Sequence, residues 1–271
     1  MIVIKSDREI ELMRQAGHKL GRVFDRLAPL VVPGVSTHEL DMMVEKFLKE
    51  ENCIPSFKGY EGFPAAICAS VNDMLIHGIP SKKIILKEGD ILTVDMGNIW
   101  QGYQGDAART YAVGTVSPET QRLIETTEAC FYAALEVAKP GNRLSDISHA
   151  VEEVARNAGY TLTEDYGGHG IGREMHEDPM ILNVGRPGHG PVLRKGMCLA
   201  IEPMLNVGSP ELRILEDGWG VKSWLCAVRW RPDRYARFHW IDLRPHRSSY
   251  HSGTCLFDLA FRCRRDKDVQ R

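Results

Sequence analysis

The stretch Val94-Asp95-Met96-Gly97-Asn98-Ile99-Trp100-Gln101-Gly102-Tyr103-Gln104-Gly105-Asp106 carries two carboxylates on strand-like segments that flank one short turn. Facing indices in an antiparallel pair sum to a constant, so a turn centred between Trp100 and Gln101 predicts Asp95 directly opposite Asp106, on one face. Facing β-carbons lie about 4.5–5.5 Å apart, and like charges there are destabilising. Two hard or borderline divalent cations about 3.5–4 Å apart, bridged by carboxylates, would resolve the conflict. The alternative has one Asp capping a turn beside Gly97 or Gly105 and the other facing water.

Three more segments supply groups that such cations need. Tyr166-Gly167-Gly168-His169-Gly170-Ile171-Gly172-Arg173-Glu174-Met175-His176 holds two imidazoles among glycines that disfavour a helix and permit close backbone approach. Cys198-Leu199-Ala200-Ile201-Glu202-Pro203-Met204 sets one Glu within an apolar strand, with Pro203 keeping it extended. A buried Glu needs a partner, and a metal serves. Ile76-His77-Gly78-Ile79-Pro80 puts a histidine in a turn after the strand-like segment containing Cys68. Each alone has an ordinary explanation, such as a surface or satisfied core histidine; the joint pattern favours a metal site.

The rest of the chain sets the frame. Its 271 residues, 43% hydrophobic, suffice for one large domain or two small ones with a packed core. A formal charge of -2 gives no basic footprint for nucleic acid, which leaves small molecules or peptides as partners. Seven cysteines without a CxxC pair, and a start from Met1 to Asp7 with no basic-then-apolar leader, predict a cytoplasmic protein with reduced thiols. No apolar run nears the roughly 18 residues of a membrane span.

Ser6 with Glu9 is a capping box for a helix over residues 6–28, with Ile10, Met13, Gly17, Leu20, Phe24 and Leu27 as its apolar stripe. Ser36 with Glu39 opens a second helix after Pro33-Gly34, with Leu40, Met43, Val44 and Phe47 facing inward. Residues 65–71 and 84–96 read as strands, and Ser117-Pro118 starts another helix. Pro33-Gly34, Glu39-Leu40 and Val44-Glu45 recur as Pro140-Gly141, Asp146-Ile147 and Val151-Glu152, all 107 residues later. The echo predicts a duplicated α+β unit with a site between its halves.

The motifs His77-Gly78-Ile79-Pro80, Val94-Asp95-Met96-Gly97, Gly105-Asp106-Ala107-Ala108-Arg109-Thr110, Gly168-His169-Gly170-Ile171-Gly172-Arg173 with His176-Glu177, and Ala200-Ile201-Glu202-Pro203 are in place. In order and spacing they resemble those of bacterial type I methionine aminopeptidases, over approximately residues 1–219. The resemblance implies an α+β pita-bread fold, a pseudo-twofold repeat of helix pairs packed on a curved antiparallel sheet, with halves of approximately 1–115 and 116–219. It implies a metallo-exopeptidase that hydrolyses the first peptide bond to remove the initiator methionine from nascent proteins whose second residue is small. It implies two divalent ions, of Co, Mn, Fe or Zn, with Asp95, Asp106, His169 and Glu202 as ligands and Asp106 bridging. His77 and His176 would contact the substrate and steady the tetrahedral intermediate, and Glu202 would shuttle the proton. Tyr60, Phe63, Cys68, Met175 and Trp219 fall where the family lines its methionine pocket, and Met and aromatic groups suit a polarizable thioether. Without the resemblance these five read as ordinary core. The implied setting is a cytoplasmic monomer that meets nascent chains, with the ribosome as a further partner.

The resemblance stops at Trp219, where the family continues into strands carrying a Glu that bridges both ions. Residues 220–271 contain no Glu and hold ten Arg and two Lys against five Asp, a net +7, whereas residues 1–219 carry -9. The break reads as a shifted reading frame or a disordered basic tail, with ribosomal RNA as the partner a basic tail would suit. Asp233, fourteen residues after Trp219 and one methylene shorter than Glu, stands about where the missing ligand would fall. Two functions follow: an aminopeptidase, or a catalytically impaired pita-bread protein that acts only as a binding module because its last bridging Glu is absent.

Overall fold

Ser6 caps the first helix in the reciprocal box read from the sequence. Its Oγ accepts the Glu9 amide at 3.4 Å while the Glu9 carboxylate accepts the Ser6 amide at 2.8 Å. The computed structural model describes residues 1–223 and 241–242. Its first half runs α1 (Asp7–Leu27), α2 (Thr37–Glu50), β1 (Ile54–Pro55), β2 (Ile67–Val71), β3 (Met74–Ile76), β4 (Ile91–Trp100) and β5 (Tyr103–Ala112). The second runs α3 (Pro118–Val137), α4 (Leu144–Asn157), β6 (Thr161–Leu162), β7 (Gly167–Gly170), β8 (Glu177–Leu182) and β9 (Cys198–Ala200). It continues through β10 (Leu205–Asn206), β11 (Leu212–Ile214), β12 (Val221–Ser223) and β13 (Ile241–Asp242).

The repeat is structural. α2 and α4 lie 107 residues apart at both ends, and the antiparallel bridge Ser36–Ile85 recurs as Arg143–Val192 at the same offset. In the first half β4 pairs with β5 on one edge and with β2 and β1 on the other. In the second, β9 pairs with β7 and β13, and β7 pairs with β8. Each half buries its own core. Leu20, Phe24, Leu40 and Val44 of the first helix pair pack on Ile67, Leu92 and Val94. Phe131, Ile147 and Val151 of the second pack on Ile181, Leu199 and Leu205. At about 1.5–3 kcal/mol for each fully buried large apolar side chain, these faces hold the helix pairs to their sheets.

The β4–β5 register differs from the expected one. Trp100 pairs with Tyr103, and Gln101 and Gly102 form the loop with φ of 50° and 78°. Two successive positive φ values make a type I′ turn, and Gly102 reaches that region without steric cost. The turn centre therefore sits one residue later than expected: Asp95 faces Ala108 and Asp106 faces Gly97. The sum of facing indices changes by two, so parity is kept. Both aspartates stay on one face, as diagonal neighbours.

Other boundaries shift for local reasons. Residues 84–90 are not strand, because the Asp90 amide turns back to the Lys87 carbonyl at 3.1 Å and Asp90 Oδ2 accepts the Lys87 amide at 2.8 Å. β2 begins at Ile67 rather than Ala65, since Asp41 Oδ1 takes the amides of Ala66 and Ile67 at 2.8 and 3.2 Å. That contact turns Asp41 inward on α2 and leaves Met43 43% exposed, off the expected stripe. Beyond Trp219, β12 is a strand paired with β11 and, with a register shift between Val221 and Lys222, with β3. Residues 224–240 and 243–271, Asp233 among them, lie outside the described residues. Among the described residues no helix is long and apolar enough to cross a membrane.

Candidate metal centre and substrate cleft

β7 sets His169 opposite Met180 of β8 and Ala200 of β9. A carbonyl can only accept, so the 2.8 Å contact from His169 Nδ1 to the Gly170 oxygen fixes the proton on Nδ1 and leaves Nε2 as a ligand atom. Nε2 lies 3.5 Å from Asp106 Oδ2 and 3.3 Å from Glu202 Oε1. These three buried side chains each present one donor atom, all within 4.8 Å of one another. Asp106 comes from β5, whereas Glu202 stands two residues past β9 rather than inside the strand, since the β7–β9 ladder ends at Ala200. Asn183 Nδ2 holds the Glu202 backbone by donating to its carbonyl at 2.8 Å.

The electrostatics suit a cation. Burial alone would lower the His169 pKa, but the Asp106 and Glu202 carboxylates outweigh it and raise it from 6.5 to about 10. The pocket thus favours positive charge between its carboxylates. Oδ1 of Asp95 and Oδ1 of Asp106 are buried and accept no hydrogen bond among the described residues. Buried carboxylate oxygens so placed are costly unless a cation or donor meets them. The donor set of one imidazole and several carboxylates fits a first-row divalent metal.

A cavity of about 520 Å³ includes this centre. Phe63, Cys68 and Met175, buried to 3%, 4% and 5% exposure, form one apolar wall with Tyr60 and Trp219 packed against it. Cys68 shares this side because it is the β2 partner of Asp95. His77 follows β3 with a φ of 58°, and its ring lies edge-on to those of Tyr166 and Trp219 at 6.2 and 6.3 Å. Gly78 lets that turn approach β2: a Cβ there would stand 2.4 Å from the Ala69 oxygen. The His176 ring is 4.4 Å from that of His169, and its Nδ1 is 2.9 Å from the Tyr60 hydroxyl. Burial, then the charge of His169, holds the His176 pKa below its usual value.

The structure therefore gathers in one cavity every residue singled out in the sequence from residue 1 to 219 as ligand, catalytic group or pocket wall. Phe57, Tyr166 and Met204 also line it and were not foreseen. Tyr166 heads the glycine-rich run, and that position was its one signal; Phe57 and Met204 look like any core residue in a sequence.

Residues 11–231 match the sequence profile of metallopeptidase family M24. The chain belongs to that family. This M24 metallopeptidase is 54% identical over 221 residues to a methionine aminopeptidase of Clostridium acetobutylicum, covering 82% of this chain and 88% of the relative. It is 47% identical over 221 residues to methionine aminopeptidase 1 of Bacillus subtilis, covering 82% and 89%. The crystal structure of a methionine aminopeptidase from Thermotoga maritima superposes with a TM-score of 0.85 at 41% identity, covering 90% of this chain and 96% of that one. The α+β pita-bread fold expected from the sequence is thus present, and nothing in these likenesses favours the binding-module alternative.

Proposed function

We propose that this chain removes the N-terminal methionine from nascent polypeptides with a small second residue by hydrolysing the first peptide bond. The observation that carries this reading is the abutment of the Asp106, His169 and Glu202 cluster on an apolar wall of Phe63, Cys68 and Met175, within one cavity. Asp106, His169 and Glu202 would hold one divalent ion, and Asp95, on the same face, would share a second with Asp106. Such ions supply Lewis acidity, which activates water and polarises a carbonyl.

The protein's own groups do the rest. The apolar wall takes the methionine side chain out of water, and the thioether suits its Met, Cys and aromatic lining. With the Tyr60 hydroxyl on Nδ1, the neutral His176 ring offers Nε2–H to an oxygen that gains charge as the carbonyl carbon is attacked. His77, which also lines the cavity, would orient the substrate. Glu202 accepts a proton from the attacking water and passes it to the departing amine. Cys53, Cys68, Cys130 and Cys198 are buried and no disulfide joins them among the described residues, in keeping with a reducing, cytoplasmic setting. We take the working unit to be a monomer that meets its substrates as they leave the ribosome.

The test is methionine release from a Met-Ala-Ser peptide, titrated with Mn(II) or Co(II). Saturable, chelator-sensitive release is expected. Its absence from folded, metal-loaded protein would refute the reading and leave the chain a binding module.

We also propose that the segment after β12 arises from a shifted reading frame, on the strength of its lack of Glu and its reversed charge. Translation of the coding DNA in the other two frames past Ser223 should uncover a Glu-bearing segment; if neither frame does, the proposal fails.

A further inference from the structure

Lys5 belongs to no motif in the cleft, yet its side chain is 3% exposed and its Nζ lies 2.6 Å from Oε2 of Glu177, itself 11% exposed. The second oxygen, Glu177 Oε1, accepts the amides of Arg173 at 3.0 Å and Glu174 at 3.4 Å. One carboxylate therefore gathers the loop between β7 and β8, which carries Met175 and His176 to the cavity. Gly172 shows how closely these parts fit. A Cβ there would stand 2.4 Å from Glu177 Oε1 and 2.6 Å from Lys5 Cε. The Lys5 backbone amide donates to the Gly196 carbonyl at 2.8 Å, and Gly196 leads into β9 and so to Glu202.

We propose that Lys5 is a positioning residue that, through Glu177, sets where Met175 and His176 stand relative to Glu202. The start of the loop has other anchors: the Gln104 amide donates to the Gly172 carbonyl at 2.8 Å, and Gln104 Nε2 to the Arg173 carbonyl at 3.2 Å. Its middle, at Arg173 and Glu174, is gathered by the Glu177 carboxylate, which is largely shielded from water and has the Lys5 ammonium as its paired charge. Removing one member of a buried pair strands the other, and the cheapest relief is for the segment to open and admit water. Misplacement of a positioned group by about 1 Å can cost on the order of 10²-fold in rate.

The catalytic consequence rests on the aminopeptidase reading, but the positioning itself does not. Hydrogen exchange of amides 172–177 in metal-free Lys5→Met and Glu177→Gln is the direct test, since it needs no turnover. Exchange there should rise about 10-fold while α1 and α3 amides stay as in the wild type. In turnover, KM for a methionyl peptide should rise and kcat/KM fall by about 10- to 100-fold. Lys5→Arg, which keeps the charge, should recover most of both losses. Unchanged exchange in both variants, or a uniform rise throughout the chain, would overturn the proposal. Should Lys5→Met not fold, Glu177→Gln decides alone, because its amide oxygen still accepts from Arg173. A wild type without turnover sinks the aminopeptidase reading, while the exchange rates still decide whether Lys5 positions the loop.

Discussion

Asp95 and Glu202 occupy equivalent places in the two halves of the chain. Each is the fifth residue counted from the start of its strand, at Ile91 for β4 and Cys198 for β9, and the 107-residue offset is that of α2 and α4. The pseudo-twofold thus delivers one carboxylate from each half to a shared cavity. The halves then diverge: the first adds Asp106 from β5, paired to β4, and the second adds His169 from β7, paired to β9. A duplicated scaffold thus presents an asymmetric set of candidate ligands.

Asp106 should therefore be the least dispensable ligand. Its Oδ2 joins the cluster with His169 and Glu202, and its buried Oδ1 accepts no hydrogen bond among the described residues. Loss of an outer partner alone costs metal sites about 10- to 100-fold in affinity, so Asp106→Asn should lose at least 100-fold, or about 2.7 kcal/mol. Calorimetric titration with Mn(II) measures this. Near-wild-type affinity would place the metal elsewhere.

Tyr60 should act through His176. Its hydroxyl sits 2.9 Å from Nδ1, so Tyr60→Phe removes that hydrogen bond and leaves the ring free to turn. A hydrogen bond worth about 1 kcal/mol corresponds to roughly 5-fold, and the loss should fall on kcat with little change in metal affinity. Steady-state kinetics on Met-Ala-Ser would expose the error if KM alone moved.

Much of this site was legible in the sequence because its donors are rare residue types in short runs. His169 among glycines, Glu202 before a proline and two Asp around a tight turn each conflict with ordinary burial, and a metal resolves all of them. The helices were legible because Ser6, Ser36 and Ser117 cap them with their own side chains. Register was not. It depends on whether Gly102 is the first or second residue past the turn centre, a choice that alternating polarity does not make. Lys5 was hidden for another reason: its partner is 172 residues away, and nothing near it in sequence marks a lysine as buried.

Gly102 should be intolerant of substitution. Its φ of 78° lies where a β-branched side chain is strained, and it closes the turn that puts Asp95 and Asp106 on one face. Gly102→Val should destabilise the protein by roughly 1–2 kcal/mol. Urea denaturation followed by far-UV circular dichroism tests this, and an unchanged midpoint would mean that the turn is set by something other than Gly102.

Glu9 should govern part of the acid limb of stability. It accepts hydrogen bonds from the Ser6 amide, the Ser6 hydroxyl and the Tyr103 hydroxyl, which together hold its pKa at about 2 instead of 4.5. The native carboxylate therefore binds a proton less readily than the unfolded one, so its contribution is fully present above pH 4.5 and is lost as pH falls towards 2. Glu9→Gln has no such ionisation. The stability gap between wild type and Glu9→Gln, measured by denaturant titration at several pH values, should be level above pH 4.5 and shrink steadily below it. A gap that stays constant through the acid range would show that the hydrogen bonds to Glu9 do not depend on its charge.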